Sequence, residues 1–454
     1  MSWTSAEIAA ATDGTASADF AVSGVAFDSR EVGPGDLFVA LKGETTDGHR
    51  FAVQAFAQGA AGLLASEPVD GPHVLVADTS AALSALGAAS RARTTAKVIG
   101  VTGSVGKTSV KEALYAALDR AVPGGAHRSL KSYNNHVGVP LSLARMPRET
   151  RFGIFEMGMN HAGELAALTR LVRPNVAIVT AVALAHGAFF ADESAIADAK
   201  AEIFEGLEPG GTAIIPYDSP HRDRLIAAAR PYATEIVTFG RDAKADVNAR
   251  EAIGQATGTL VAARLRGSEL IFTLGQPGAH WVSNALAILA AVEAVGGDLP
   301  AAGLALAEMA GLAGRGRRLP IRLADGDALL IDEAYNANPA SMRATLAVLG
   351  AEKAKRRIAI LGGMRELGPA EAREHAALAE PIAAANVDYA LLVGSEMAPL
   401  AEALEGRADF AHVADAATAA ERARTLIGPG DAVLIKGSNS IGLARVVDAL
   451  AGIA

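Results

Sequence analysis

The fold is decided by Thr102-Gly103-Ser104-Val105-Gly106-Lys107-Thr108-Ser109. The stretch follows an apolar run at residues 97–102, which predicts a buried strand, and precedes a helical pattern at 110–119. Glycines between a strand and a helix let backbone amides point at a phosphate, and the helix N-terminus adds a favourable dipole. Such a loop at the end of a strand predicts a doubly wound α/β domain.

The side chains of this loop indicate a binding site for a nucleoside triphosphate. Lys107 would neutralise phosphate charge, and the Thr108 hydroxyl would bind Mg²⁺. The full Walker spacing requires a glycine where Val101 stands, so this is a shortened variant of the motif. The intact Gly106-Lys107-Thr108 and the strand–loop–helix context favour phosphate binding by residues 102–109 over a simple glycine turn.

Further apolar runs predict the rest of a mostly parallel central sheet. They lie at residues 153–156, 176–182 and 212–216, with helical stretches such as 194–205 between them. Residues 236–275 look β-rich and irregular, and a helix is predicted at 281–295.

Three domains follow from this pattern. Residues 1–92 predict a small α/β N-terminal domain that ends in a helix at 80–93. Residues 93–313 predict the central P-loop domain. The strand–helix alternation restarts in residues 314–454, with apolar runs at 328–331, 358–361, 389–393 and 432–435, and predicts a Rossmann-like C-terminal domain.

Composition narrows the class of protein. The 454 residues carry a formal net charge of −9 and no basic stripe, which argues against a nucleic-acid partner. The absence of cysteine excludes disulfides and thiolate catalysis. The first residues include Glu7 and lack the basic start of a signal peptide, and apolar runs such as 285–292 are too short to span a bilayer. We therefore expect a cytoplasmic protein without membrane insertion.

Three polar residues follow or flank the predicted central strands. Glu156 ends one strand, at the sheet edge where such folds bind ligands, and Mg²⁺ prefers oxygen ligands. A helix-capping or solvated carboxylate is the alternative. His186 follows another strand, and Lys200 lies on the helix behind it. Taken singly, a structural histidine and a solvated lysine are the more common outcomes.

Several motifs together resemble one enzyme family. They surround the phosphate loop and extend over all three segments: Asp28-Ser29-Arg30, residues 34–43, Asp47-Gly48-His49, Tyr133-Asn134-Asn135, Glu156-Met157-Gly158, Asn284-Ala285-Leu286, Tyr335-Asn336-Ala337-Asn338-Pro339 with Ser341-Met342, and Lys436-Gly437-Ser438. This series resembles the Mur ligase family.

The resemblance implies an ATP-dependent amide ligase of cell-wall precursor synthesis, with ATP and Mg²⁺ as cofactors. ATP would phosphorylate the terminal carboxylate of a UDP-N-acetylmuramoyl tripeptide, and an amine would attack the acyl phosphate. Residues 335–342 resemble the family member whose amine is D-alanyl-D-alanine. A monomer is expected, and the third residue of the tripeptide, lysine or diaminopimelate, stays open.

The resemblance also assigns roles around the nucleotide. Lys107 would contact the transferring phosphate, Asn284 the adenine and Asp332 the ribose, while Arg315 and Arg317 both stay open for the γ-phosphate. The implied metal ligands are Thr108, Glu156, His186 and Lys200, and the implied catalytic residues are Lys107, Lys200 and His186. Lys200 would carry a carbamate, which turns a cation into a carboxylate-like anion.

The substrate residues implied by the resemblance fall into two groups. Those for the UDP-linked substrate are Ser29, Arg30, Gly43, His49, Asn134 and Asn135, and those for the dipeptide are Tyr335, Asn336, Asn338 and Lys436. Two positions depart from the family. Residues 187–190 are Gly-Ala-Phe-Phe where Leu-Glu-Gly-Phe is more frequent, and Asn439 stands where arginine is common.

Two other functions fit parts of the sequence. One is another amide ligase of the same superfamily, such as a folylpolyglutamate synthetase or an earlier Mur ligase, and residues 335–339 and 28–42 argue against it. The other is a P-loop switch that controls a partner by its nucleotide state. Such a switch would hydrolyse ATP without any acceptor, and the sequence shows no guanine-specificity motif.

Overall fold

The computed structural model describes residues 3–43, 46–184, 187–255 and 258–452. Within these ranges the strands form three large sheets, each built from one continuous stretch of chain, and a small two-stranded sheet. This arrangement confirms the predicted α/β fold in three parts. The domain limits at 92/93 and 313/314 stay predictions, and they fall in connections between the sheets. No helix in the described ranges is both long enough and apolar enough to cross a bilayer.

The N-terminal segment is a five-stranded sheet covered by helices. Its strands lie in the order β2-β7-β6-β5-β4, parallel except for β2, while β1 and β3 form the antiparallel pair. The strands are β1 (Trp3–Thr4), β2 (Thr15–Ala16), β3 (Ala21–Val22), β4 (Gly24–Ala26), β5 (Asp36–Val39), β6 (Gly62–Ala65) and β7 (His73–Leu75), and the helices are α1 (Ser5–Thr12), α2 (Ala52–Ala57) and α3 (Thr79–Ala92).

The central segment is a nine-stranded sheet in the order β16-β15-β14-β13-β12-β11-β8-β10-β9. Its strands are β8 (Lys97–Thr102), β9 (Ala126–Arg128), β10 (Phe152–Glu156), β11 (Val176–Val179), β12 (Thr212–Pro216), β13 (Glu235–Gly240), β14 (Val247–Gln255), β15 (Gly258–Arg264) and β16 (Glu269–Leu274). Its helices are α4 (Lys107–Ala121), α5 (Gly138–Ala144), α6 (Glu164–Val172), α7 (Glu193–Ala201), α8 (Arg222–Ala229), α9 (Ala279–Ala294) and α10 (Leu299–Glu308).

Apolar side chains of β8 point to both faces of this sheet, so both faces need to be covered by helices. Ile99 and Val101 point into the core shared with α4 and α9, while Val98 points into the core shared with α6 and α7. Such a strand is buried on both sides, as expected for parallel strands between helices. β8 lies between β10 and β11, where the strand order reverses, and ligands of doubly wound sheets bind at such a position.

Three sequence-based details of this segment need correction. The region 236–275 is regular rather than irregular, because β14, β15 and β16 extend the sheet as an antiparallel meander. The strand predicted at 176–182 ends at Val179, since the Thr180 hydroxyl turns to donate to the Val105 and Thr102 carbonyls. The helix predicted at 194–205 is α-helical only to Ala201 and continues as a 3-10 helix, Glu202–Gly206.

The C-terminal segment is a six-stranded sheet in the order β17-β18-β22-β19-β20-β21, parallel except for the β17–β18 hairpin. The edge strands β17 and β21 were not predicted. Strands are β17 (Arg317–Leu323), β18 (Gly326–Glu333), β19 (Arg357–Gly362), β20 (Tyr389–Val393), β21 (Phe410–Val413) and β22 (Ala432–Lys436), and helices are α11 (Pro339–Ala351), α12 (Glu371–Ala376), α13 (Ala379–Ala384), α14 (Ala398–Leu404), α15 (Ala416–Leu426) and α16 (Ala444–Ala451).

Candidate active site

The phosphate loop joins β8 to α4, and two of its positions require glycine. Gly103 has φ +149°, and a Cβ there would lie 1.9 Å from the Thr180 hydroxyl. Gly106 has φ +86°, a left-handed conformation, and a Cβ there would lie 2.9 Å from the Asn284 amide oxygen. The loop is therefore pressed against the next strand end and against α9, with the N-terminus of a 15-residue helix behind it.

Lys107 opens α4 and bends back over the loop. Its Nζ donates to the Gly103 carbonyl oxygen at 2.6 Å. Burial lowers the pKa of Lys107 below its ordinary value, and the nearby positive charge of Arg315 acts in the same direction, while Glu156 opposes them. A bound phosphate would supply negative charge beside Lys107 and so stabilise its ammonium form.

Thr108 and Glu156 meet beneath the loop. The Thr108 hydroxyl donates to Glu156 Oε2 at 2.8 Å, and the Asn134 amide donates to Oε1 at 2.7 Å. A buried carboxylate beside a hydroxyl offers the hard oxygens that Mg²⁺ prefers, so the donor set fits this ion. Asn134, which the family resemblance assigns to the UDP-linked substrate, thus also supports the candidate metal site. Asn135 instead accepts from the amides of Val137 and Gly138 at the start of α5.

The segment 129–134 connects this site to the rest of the protein through a buried lysine. Lys111, one turn after Lys107 on α4, donates from Nζ to the carbonyls of Ser129 (2.9 Å) and Lys131 (2.6 Å). Its side chain is fully buried. Lys131 has φ +50°, a left-handed conformation that these contacts hold in place. The Ser132 hydroxyl then lies 3.4 Å from the Thr108 hydroxyl.

The same segment contacts the N-terminal domain. Lys131 forms an ion pair with Glu31, and the Tyr133 hydroxyl lies 3.2 and 3.3 Å from the two Glu31 carboxylate oxygens. Tyr133 also packs against Phe27, with ring centroids 5.4 Å apart. A change at the N-terminal sheet can therefore reach Glu156 through one short stretch of chain.

Replacing Lys111 by methionine is expected to destabilise the fold by roughly 2–4 kcal/mol, because the carbonyls of Ser129 and Lys131 lose their donor. Activity should fall as well, since Ser132 and Asn134 lose the backbone support that places them at Thr108 and Glu156. Urea denaturation and turnover measure the two effects. Lys97→Met, at an exposed lysine of β8, is the matched control. A Lys111→Met protein with the unfolding free energy of the control would contradict this role.

Lys200 lies on α7 and reaches the same site from the opposite side. Its side chain is 2% exposed, and it makes no hydrogen bond or ion pair with the residues that the structure describes. Burial holds its pKa well below the ordinary value, and the positive charge of Lys107 adds to the effect. The lowered pKa favours the neutral amine that carbamylation needs. His186, also predicted at this site, lies outside the described residues.

A cavity of about 730 Å³ extends from the phosphate loop to the C-terminal sheet. Asn338, the N-cap of α11, spans the two parts and donates to the Ser104 carbonyl at 3.4 Å. Of the residues predicted from sequence, those lining the cavity are residues 104–109, Asn134, Glu156, Lys200, Asn284, Arg315, Tyr335, Asn336, Asn338 and Lys436. The structure therefore brings most of the predicted nucleotide, metal and dipeptide residues into one space, whereas Arg317 and Asp332 do not line it.

The two candidate arginines take different places. Arg315 lines the cavity, with its guanidinium 4.3 Å from the Tyr335 ring centroid and 3.4 Å from the Ser132 hydroxyl. Arg317 points away and pairs with the buried Asp332 at 3.0 Å. Asp332 also accepts from the Gly314 amide at 2.8 Å, so its carboxylate shapes the turn that presents Arg315. The geometry favours Arg315 as the phosphate contact.

On the wall formed by the C-terminal sheet, Lys436 is the central charge. It is 2% exposed, donates to the Asn336 carbonyl at 2.9 Å and lies 3.5 Å from Glu333. Burial lowers the pKa of Lys436, and Glu333 opposes that shift. Tyr335 is more exposed and covers Arg315. An anionic ligand group entering here would meet Lys436 and the Asn336 side chain.

The N-terminal residues assigned to the UDP-linked substrate lie outside this cavity. His49 is held by Asp47 (2.6 Å) and accepts from the Ser66 amide (2.9 Å). Arg30 pairs with Asp28 at 2.6 Å on the surface. Ser29 is buried on the 3-10 turn that also carries Glu31, and Gly43 lies before the undescribed residues 44–45. Within the described residues, the segment 129–134 contacts both the N-terminal domain, through Glu31, and the cavity, through Ser132 and Asn134.

Sequence reasoning missed four residues of the site: Lys111, Ser132, His280 and Glu333. Burial of His280 lowers its pKa to about 4, with Lys436 adding to the shift, so its ring is neutral at physiological pH. A signal for Glu333 was present, since it directly follows Asp332 at the end of a strand. Ser132 and Lys111 carried no such signal, because only the folded segment 129–134 brings them to the site.

Comparisons with known proteins agree with this geometry. Three family models match the chain: "Mur ligase middle domain" over residues 101–292, "Mur ligase, glutamate ligase domain" over 317–439 and "Mur ligase family, catalytic domain" over 21–124. The UDP-N-acetylmuramoyl-tripeptide–D-alanyl-D-alanine ligase of Escherichia coli (strain K12) is 37% identical, over 95% of this chain and 94% of the relative. The enzyme of the same name from Bacillus subtilis (strain 168) is 32% identical, over 94% and 92%.

Solved structures give the same picture. A crystal structure of MurF from Acinetobacter baumannii superposes with a TM-score of 0.87 at 31% identity, covering 100% of this chain and 99% of that one. The MurF ligase of Thermotoga maritima in complex with ADP gives a TM-score of 0.79 at 25% identity, covering 95% and 97%.

Proposed function

This chain belongs to the Mur ligase family, and from that membership we propose that it joins D-alanyl-D-alanine to a UDP-N-acetylmuramoyl tripeptide with the use of ATP. The observation that carries the proposal is the single cavity in which the phosphate loop faces Asn336 and Lys436. Phosphoryl transfer and amide formation need the two substrates and ATP in one space. A nucleotide-dependent switch would not need a second binding surface, formed by Asn336 and Lys436, opposite the phosphate loop.

A carboxylate is a poor electrophile, so the reaction starts by making it a better one. The tripeptide carboxylate attacks the γ-phosphate, giving an acyl phosphate and ADP, and the dipeptide amine then displaces phosphate. Lys107, Arg315 and loop residues 104–109 line the cavity together, and we assign them to neutralising the phosphate charge that develops. Asn284 lies beside Gly106 of the phosphate loop, and we assign it to the adenine.

Mg²⁺ is part of the proposal. Thr108 and Glu156 would hold it, and carbamylated Lys200 and His186 are proposed for a second ion. Bound there, Mg²⁺ would neutralise charge on the phosphates and on the acyl phosphate. Ser29, Arg30, Gly43 and His49 are proposed to hold the uridine diphosphate end, with the muramoyl tripeptide following the segment 129–134. We further propose that the protein is a cytoplasmic monomer.

Arg315→Ala and Arg317→Ala should distinguish a loss of turnover from a loss of stability. Loss of Arg315 removes a charge at the phosphates, and we expect kcat to fall by about 10²–10³ with unchanged thermal stability. Loss of Arg317 leaves the buried Asp332 with one partner fewer, and we expect lower stability with a smaller loss of kcat. Steady-state kinetics and thermal melts test both variants. The opposite pattern would assign the phosphate contact to Arg317.

A panel of acceptors tests the proposed function. The purified protein is given ATP, Mg²⁺ and UDP-muramoyl tripeptides carrying either lysine or diaminopimelate. D-alanyl-D-alanine, D-glutamate and diaminopimelate are compared as amines by phosphate release and product mass. Ligation of D-alanyl-D-alanine alone is expected. Ligation of another amine would identify a different amide ligase, and equal ATP hydrolysis without any acceptor would favour the switch.

A further inference from the structure

The amine of the incoming dipeptide has to lose a proton before it can react. Its amine is an ammonium at neutral pH, and an ammonium has no lone pair with which to attack an acyl phosphate. A group in the cavity must therefore bind the cation and take a proton from it. A carboxylate meets both needs.

Three carboxylates line the cavity within the described residues: Glu156, Glu333 and Glu366. Glu156 is engaged by Thr108 and Asn134 at the phosphate loop. Glu366 lies on the loop after β19, where its backbone carbonyl accepts from the Ala188 amide. Of the three, Glu333 lies next to the residues proposed for the dipeptide, since its carboxylate is 3.5 Å from Lys436 Nζ and it precedes Asn336 on the same strand end.

The surroundings of Glu333 suit a base. It ends β18, its side chain is 16% exposed, and its Oε2 lies 3.5 Å from Lys436 Nζ. Burial raises the pKa of Glu333, with Asp332 adding to the shift and Lys436 and Arg315 opposing it. His280 on α9 and Arg318 on β17 also line the space beside Glu333, and the His280 ring is neutral because burial lowers its pKa to about 4. A carboxylate of raised pKa is a stronger acceptor of protons than an exposed one.

We propose that Glu333 is the catalytic residue that binds the ammonium of the incoming dipeptide and takes its proton before attack on the acyl phosphate. The inference rests on the proposed function and names a residue that the family motifs did not supply. Lys436, next to it, would then pair with the carboxylate of the zwitterionic dipeptide.

The step balances as follows. One ammonium proton passes to the Glu333 carboxylate, and the nitrogen lone pair forms the C–N bond at the acyl carbon. When the tetrahedral intermediate collapses, the C–O bond to phosphate breaks with its electron pair. The second amine proton leaves with the phosphate, and Glu333 returns the first one to water.

Glu333→Gln tests the proposal through two half-reactions. Hydroxylamine is uncharged at neutral pH and needs no base, so it traps the acyl phosphate directly as a hydroxamate. With ATP and UDP-muramoyl tripeptide, Glu333→Gln should form hydroxamate within a few-fold of wild type. Its ligation of D-alanyl-D-alanine should fall by about 10²–10⁴. Raising the pH should restore part of that rate, because more of the dipeptide is then free amine.

Glu352→Gln is the matched control, since Glu352 pairs with Arg318 on the surface of the same domain. It should match wild type in both assays. Glu333→Gln that ligates the dipeptide at the wild-type rate overturns the proposal. Equal loss of hydroxamate and ligation also overturns it, because Glu333 would then serve phosphoryl transfer or folding. A wild-type protein that forms no hydroxamate would instead overturn the proposed function.

Discussion

Lys107→Ala is expected to lower kcat by about 10³ or more, with the fold intact. The lysine lies at the first turn of α4, and we propose that its ammonium faces the phosphoryl group to be transferred. Removing it leaves developing negative charge without its nearest point charge in a partly buried site, a type of loss that costs about 10²–10³ even for a single neutral donor. ATP binding should weaken far less, since the loop amides remain.

The measurement pairs phosphate release under saturating substrates with a thermal melt. Lys97→Ala, five residues before the loop on the exposed end of β8, serves as the control for loss of a lysine. Turnover of Lys107→Ala near that of the control, in a protein with the wild-type melting temperature, would remove Lys107 from the mechanism.

The second large loss of activity is expected when Lys200 is replaced. Its amine is buried, lacks a partner among the described residues, and has a pKa well below the ordinary value because of burial and the charge of Lys107. An ammonium there would repel Mg²⁺, whereas the neutral amine can add CO₂ and become an anion. Lys200→Ala should therefore lose at least about 10² in kcat. Added acetate should restore part of the activity by supplying an anion.

Lys200→Arg separates the carbamate from a plain positive charge. Arginine keeps its charge and is not carbamylated, so it should be as inactive as alanine and should not respond to acetate. Lys200→Met checks the fold, because an apolar side chain of similar length is accepted at a buried position. Wild-type activity should also fall in buffers stripped of CO₂ and recover with bicarbonate. An arginine variant with wild-type activity would contradict the carbamate.

Local patterns were enough to predict much of the fold. The phosphate loop, the apolar strands around it and the restart of strand–helix alternation after about residue 314 all depend on short-range periodicity, and each is found in the structure. The edge strands β17 and β21 escaped prediction. β17 contains three arginines and a proline among its seven residues, and β21 is a four-residue strand with no buried residue. Neither resembles the continuous apolar run of a buried parallel strand.

The site was predictable only where a residue belongs to a motif. Motif spacing could not distinguish Arg315 from Arg317, because the choice depends on the turn that Asp332 holds. Lys111 and Ser132 meet through a segment that no periodicity predicts. These contacts depend on tertiary placement, and so sequence alone left them open.

Transfer of an oxygen atom tests the central claim most directly. The terminal carboxylate of the UDP-muramoyl tripeptide is labelled with ¹⁸O, and ligation to D-alanyl-D-alanine is run with ATP. If an acyl phosphate forms in the cavity, one labelled oxygen leaves with the phosphate, and mass spectrometry finds singly labelled inorganic phosphate in the amount of peptide formed. Unlabelled phosphate beside a ligated peptide would contradict the acyl phosphate and the mechanism built on it.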